Sequence, residues 1–169
     1  MKYDDIVANW NTGKEKWQLY KTEISRFVDR LYEFFLSKLE FSQEVDKRKY
    51  LKFVPLEETN DERLQNIFWS SQQCISFIEG GWATIGIRLL LETSQVSREK
   101  MQLIFHLYIK KNNQNWALKF GQGAKIIVFY DLYNYEQSLD KAWTTFSELI
   151  EQKTLFDLEN WLGQDEKNL

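Results

Sequence analysis

The run WATIGIRLLLE (Trp82–Glu92) is followed by MQLIFHLYIK (Met101–Lys110), KNNQN (Lys111–Asn115) and WALKFG (Trp116–Gly121). In the second run Met101, Leu103, Phe105, Leu107 and Ile109 fall on one side of an extended chain. Gln102, Ile104, His106, Tyr108 and Lys110 fall on the other. Successive side chains of a strand point to opposite faces, so this period of two reads as a half-buried strand. The first run has the same form, with Ala83, Ile85, Ile87, Leu89 and Leu91 against Trp82, Thr84, Gly86, Arg88, Leu90 and Glu92. Trp116, Leu118 and Phe120 alternate against Ala117 and Lys119 in the last. Polar or glycine-containing turns separate the runs, and short connections between neighbouring strands make an antiparallel meander.

Working outward, Ile75–Glu79 precedes Gly80-Gly81, a pair suited to a tight hairpin because its turn needs positive φ. Gly121 and Gly123 mark a further turn before a strand at Lys125–Tyr130. A strand is also expected at Tyr50–Val54, ended by Pro55, the chain's one proline, which has no N–H for a ladder. Asn60 or Asp61 can cap a short helix running toward Ser71, with Leu64, Ile67 and Phe68 inward.

Both ends read as helical. Trp17, Tyr20, Ile24, Phe27, Val28, Leu31, Phe34, Phe35 and Leu39 recur at helical spacing and form one wide stripe. Thr12 and Glu15 have the spacing of a capping box, so this helix is expected from about Lys14 to Glu40. Toward the C-terminus Leu139, Ala142, Trp143, Phe146, Leu149 and Ile150 make a second stripe, with Asn134 and Gln137 as its start signal. Thr154 with Asp157 is expected to begin a separate shorter helix that Gly163 ends, leaving a frayed tail at about 164–169. The predicted fold is α+β: an antiparallel meander of about five strands packed against a long N-terminal helix and C-terminal helices. No linker or repeat interrupts the 169 residues, so residues 1–169 are expected to form one domain.

Composition excludes several classes. Hydrophobic residues at 43% and charged residues at 28% leave no disordered or low-complexity reading. Aromatic residues reach 16%, so the core is expected to be ring-rich, with some rings left over for contacts. A net charge of −3 argues against a nucleic-acid partner, and the strand pattern of RNA-binding platforms is absent. Cys74 is the one cysteine, so there is no internal disulfide and no cysteine-rich zinc site. No apolar stretch approaches the ~18 residues of a membrane span, and the first residues lack a signal-peptide core. A cytoplasmic location follows by default.

Catalytic signatures are missing. There is no GxGxxG, P-loop, HExxH or GxSxG motif, and His106 is the one histidine. The adjacent acids Asp4-Asp5, Glu57-Glu58 and Asp61-Glu62 read as solvated surface. No cofactor or metal is therefore expected. One constellation remains. If the two central strands pair, Arg88, His106, Tyr108 and Lys119 line the polar side of the sheet, with Trp82 at its border. Such a face can bind an anion or stack a flat ring; it can equally be an ordinary solvated or covered sheet face.

Three readings of function follow. The leading one is a non-catalytic binding or regulatory module, acting on a protein partner or as a homo-oligomer, with Trp10 and Trp161 near the chain ends as contacts. The second is a small-ligand pocket between sheet and helices, where Arg88, His106 and Tyr108 orient a polar head. The third, an enzyme or accessory factor acting on nucleic acid, rests only on scattered acids and on Arg88 and Lys119.

Overall fold

The computed structural model describes residues 2–41, 44–56, 69–92, 100–130 and 135–166. The chain is α+β, with a long N-terminal helix, an antiparallel sheet and a C-terminal helix. Helix α1 is Tyr3–Lys38; strands are β1 (Leu51–Val54), β2 (Ser76–Ile78), β3 (Trp82–Glu92), β4 (Lys100–Asn112), β5 (Asn115–Phe120) and β6 (Ile127–Tyr130). A one-turn helix α2 (Ser71–Cys74) precedes β2, and α3 is Tyr135–Glu166. The sheet runs β1–β3–β4–β5–β6, and β2 shares with β1 the outer edge of β3. The expected short helix after Asn60 falls outside the described residues.

Period-two patterning sets the register. Ile85 pairs with Leu107 and Ile87 with Phe105, so the apolar sets of β3 and β4 share one face. Leu107 pairs onward with Phe120, and Trp116 with Phe129. Helices α1 and α3 cover this face with rings. Phe35 stacks on Phe146 at 5.1 Å, Phe120 stacks on Phe146 at 5.5 Å, and Phe105 meets Phe146 edge-on at 5.0 Å. Farther along α1, Phe27 stacks on Trp116 at 4.3 Å and meets Phe129 edge-on. These rings fill the space between layers, as close packing of a core demands.

The turns follow backbone preference. Gly80 and Gly81 have φ of 79° and 76° between β2 and β3. The turn expected over Lys111–Asn115 is tighter: Asn112 pairs with Asn115, leaving only Asn113 and Gln114 between strands. Asn113 has φ 52°, a conformation asparagine tolerates through local side-chain hydrogen bonding.

Two helix boundaries differ from expectation. Helix α1 begins at Tyr3 rather than near Lys14, because Tyr3, Ile6, Val7 and Trp10 continue the same apolar period. The backbone N–H of Lys2 donates to the Asp5 carboxylate, while Thr12 hydroxyl donates to the Ala8 carbonyl within the helix instead of capping one. At the other end α3 is one helix through Gly163 to Glu166. Thr154 hydroxyl donates back to the Ile150 carbonyl, so it does not start a new helix. A helical glycine costs about 1 kcal/mol, which is too little to stop a helix by itself.

Helix α1 is bolted to the sheet by polar contacts at two levels. Tyr20 hydroxyl donates to the Gly81 carbonyl at 2.6 Å and accepts from the Lys111 N–H at 3.4 Å. Tyr32 hydroxyl donates to the Leu51 carbonyl at 2.9 Å, and burial pushes its pKa up to about 12. A phenol raised above its unfolded value of about 10 stabilises the fold below pH ~10, and that contribution fades as pH climbs toward ~12. Tyr32→Phe is expected to cost about 1 kcal/mol at neutral pH, and to flatten the loss of stability between those two pH values. Urea melts of both proteins at neutral and alkaline pH check this; an unchanged alkaline slope would assign it to another group.

Candidate functional site

The register brings the polar residues of the meander to the face away from α1 and α3. Thr84 pairs with Tyr108, and Tyr108 with Lys119. Gly86 pairs with His106, and Arg88 lies between Lys52 of β1 and Ile104 of β4. All five residues singled out from the sequence therefore share one face. They do not form one cluster.

Trp82, Tyr108 and Lys119 come together. The Lys119 ammonium lies 4.7 Å from the centre of the Trp82 ring and 5.1 Å from that of Tyr108. Lys110 approaches Trp82 from the neighbouring strand at 5.9 Å. The negative faces of the rings hold these cations by cation–π attraction. His106 is exposed across from Gly86, where the partner strand has no side chain. Arg88 is apart from them: it is only 5% exposed, packed beside the buried Lys52. Desolvation lowers the pKa of both, with Arg88 as the second cause at Lys52. Arg88 is thus part of the sheet's interior on that side, whereas Trp82, Tyr108, Lys119 and His106 are open to solvent contact.

The helix-facing side of the sheet has little room. Its rings interdigitate, and a cavity of about 160 Å³ lies instead at the edge, among Asp29, Tyr32, Arg48, Lys52, Trp69 and Cys74. That is smaller than the roughly 300–1,000 Å³ typical of ligand pockets, but a wider hollow of about 500 Å³ beside it, bordered by Thr22, Arg26, Glu33, Arg48, Trp69 and Gln72, falls within that range. Cys74 is buried beside the Phe53 carbonyl, and burial pushes its thiol up to about 12. It is a small core group with little thiolate for chemistry. Among the described residues no three His, Cys, Asp or Glu side chains converge in a way that could hold a metal ion. Among the described residues no helix is long and apolar enough to cross a membrane.

A second surface was only partly legible in the sequence. The first contacts α1 makes with the sheet are at Trp17, whose ring meets Phe77 at 4.8 Å, and Tyr20. Residues before them project as free helix, about 20 Å long at 1.5 Å per residue. Every residue from Lys2 to Leu19 is exposed. Yet Tyr3, Ile6, Val7 and Trp10 continue the line on which Ile24, Phe27, Val28, Leu31 and Phe35 are buried. Tyr3 is 77% and Trp10 72% exposed. The place of Trp10 near the chain end makes it a candidate contact; the helical period running through it is the stronger signal. Trp161 lies on α3 in a stretch whose side chains fall outside the described residues. Compared with known proteins, the chain matches no family model, no curated protein and no solved structure.

Proposed function

We propose that the chain is a non-catalytic, protein-binding module whose contact surface is the projecting first half of α1. One observation carries this reading: an apolar helical stripe that is core in its second half is bare in its first. Short helices in water are marginal unless an apolar face is packed. A stripe bearing a bare Tyr and a bare Trp meets the description of a helix-in-groove or helix-on-helix contact. Tyr and Trp are also the residues that dominate binding energy at interfaces.

The test uses the tagged protein captured gently from its native lysate and weighed by native mass spectrometry, with Tyr3→Ala/Trp10→Ala alongside. Among the described residues neither side chain has a ring contact with the folded body, so the body's melting temperature is expected to hold. The wild type is expected to carry a further protein mass or to double its own. The double variant is expected to lose it, with affinity falling at least about 30-fold. A bare wild-type monomer, or a variant that keeps its partner, would count against the module.

The clasp of Lys119 between Trp82 and Tyr108 supports a second reading, a small anionic ligand with a flat ring bound on the open sheet face. In that case Lys119→Ala weakens binding of such a ligand about 10-fold or more, while thermal stability changes by less than about 1 kcal/mol. Isothermal titration with a mononucleotide as the probe decides it. No heat with the wild type would remove this reading.

A further inference from the structure

Building on the binding-module reading, we propose that the occupant of the projecting stripe is a second copy of the same stripe, the two α1 helices lying antiparallel across a two-fold axis near Trp10. Three observations lead to this. The first is charge. Lys2, Asp4 and Asp5 leave the first turn with one net negative charge, whereas Lys14, Glu15 and Lys16 leave one net positive charge at the base of the projection. An antiparallel pair sets each acidic first turn beside the other copy's lysines. A parallel pair would set like charges side by side.

The second observation is Gly13. A helical glycine is less favourable than alanine by about 1 kcal/mol. A Cβ built at Gly13 meets nothing within 4 Å, so no contact within the chain requires glycine there. Gly13 lies one turn from Trp10 along the stripe, between Trp10 and Trp17, and leaves a notch. With the axis at Trp10 that notch faces the other copy's Val7, which leaves room beside it for the paired Trp10 rings. The rings then fill the gaps that the glycines leave.

The third is area. Tyr3, Ile6, Val7, Trp10 and Trp17 are each exposed by between 36% and 77%. Burying them removes on the order of 600 Å² from each copy, or about 1,200 Å² in total, the lower end of stable interfaces. The two folded bodies lie at opposite ends of such a pair, since each body begins only at Trp17 of its own helix. They do not collide, and the isologous contact closes without exposing a second sticky surface.

Sedimentation equilibrium of the purified full chain, from about 1 to about 100 μM, tests this. A monomer–dimer equilibrium is expected, and Trp10→Ala is expected to raise its dissociation constant about 100-fold, because one substitution removes two rings at the axis. Asp4→Lys/Asp5→Lys alone is expected to weaken the dimer about 10-fold at low salt. Adding Lys14→Glu/Lys16→Glu in the same chain is expected to restore it. Indifference to the first reversal would mean a parallel or unrelated contact and overturn the arrangement. A wild type that stays monomeric throughout overturns the second copy as occupant. If that monomer still holds another protein and Tyr3→Ala/Trp10→Ala releases it, the module survives; if it holds none, both ideas fall.

Discussion

Phe35→Ala is expected to lower the unfolding free energy by about 3–5 kcal/mol, the range for emptying a large ring from a core. Phe35 is fully buried and sits where α1, α3 and the sheet meet. Its ring touches Phe53 of β1, Phe120 of β5, and Trp143 and Phe146 of α3. No polar rearrangement can fill the vacated space, because its neighbours are rings held by their own partners. Such a loss is a large part of the roughly 5–15 kcal/mol that holds a domain together. Urea unfolding followed by tryptophan fluorescence measures it. Pairing the change with Phe146→Ala in a double-mutant cycle is expected to give about 0.5–1.5 kcal/mol of coupling, reflecting the 5.1 Å stack itself. A single-variant loss under about 1 kcal/mol would mean that the helices do not close on the sheet as described.

Phe27→Ala is expected to cost a similar amount, about 3–5 kcal/mol, through a different set of neighbours. Its ring lies nearly parallel to Trp116 at 4.3 Å and meets Phe129 and Tyr135 edge-on. It therefore joins α1 to the β5–β6 end of the sheet and to the start of α3. None of the Phe27 ring partners is a Phe35 ring partner, so the two losses are expected to add to within about 0.5 kcal/mol in a destabilised but measurable background. Tryptophan fluorescence gives a second readout: the summed emission of the seven tryptophans is expected to shift to longer wavelength as water reaches the Trp116 indole. Strong non-additivity would show that the core moves as one unit rather than as two linked ring clusters.

The meander was legible residue by residue. Ile85, Ile87, Leu103, Phe105 and Leu107 alternate with Thr84, Gly86, Arg88, Gln102, His106 and Tyr108, with Ile104 the one aliphatic residue among them, and a one-residue slip of register would turn them all to the wrong face. Pro55 and the Gly80-Gly81 pair also stop or turn the chain where expected. The limits of the helices were less legible. Thr12 and Glu15 imitate a helix start in mid-helix, and Thr154 and Asp157 imitate one inside α3. A capping residue is a local signal, and a continuous packed or unpacked turn overrides it.

The side-chain constellation was half legible. Alternation alone places Trp82, Arg88, His106, Tyr108 and Lys119 on one face. Which of them meet depends on the stagger of β3, β4 and β5, and on what lies over each end of that face. That is why Lys119 sits between Trp82 and Tyr108 while Arg88, four residues along β3 from Thr84, is buried beside Lys52. The same division holds along α1. Period 3.6 in the residues shows a single stripe from Tyr3 to Phe35, since neighbours in a helix are set by the backbone. Where that stripe ceases to be core is a long-range matter. It is decided by where the sheet ends, at Phe77 and Gly81, beneath Trp17 and Tyr20. Spacing settles which side chains share a face; only the packing of distant segments settles whether that face is covered.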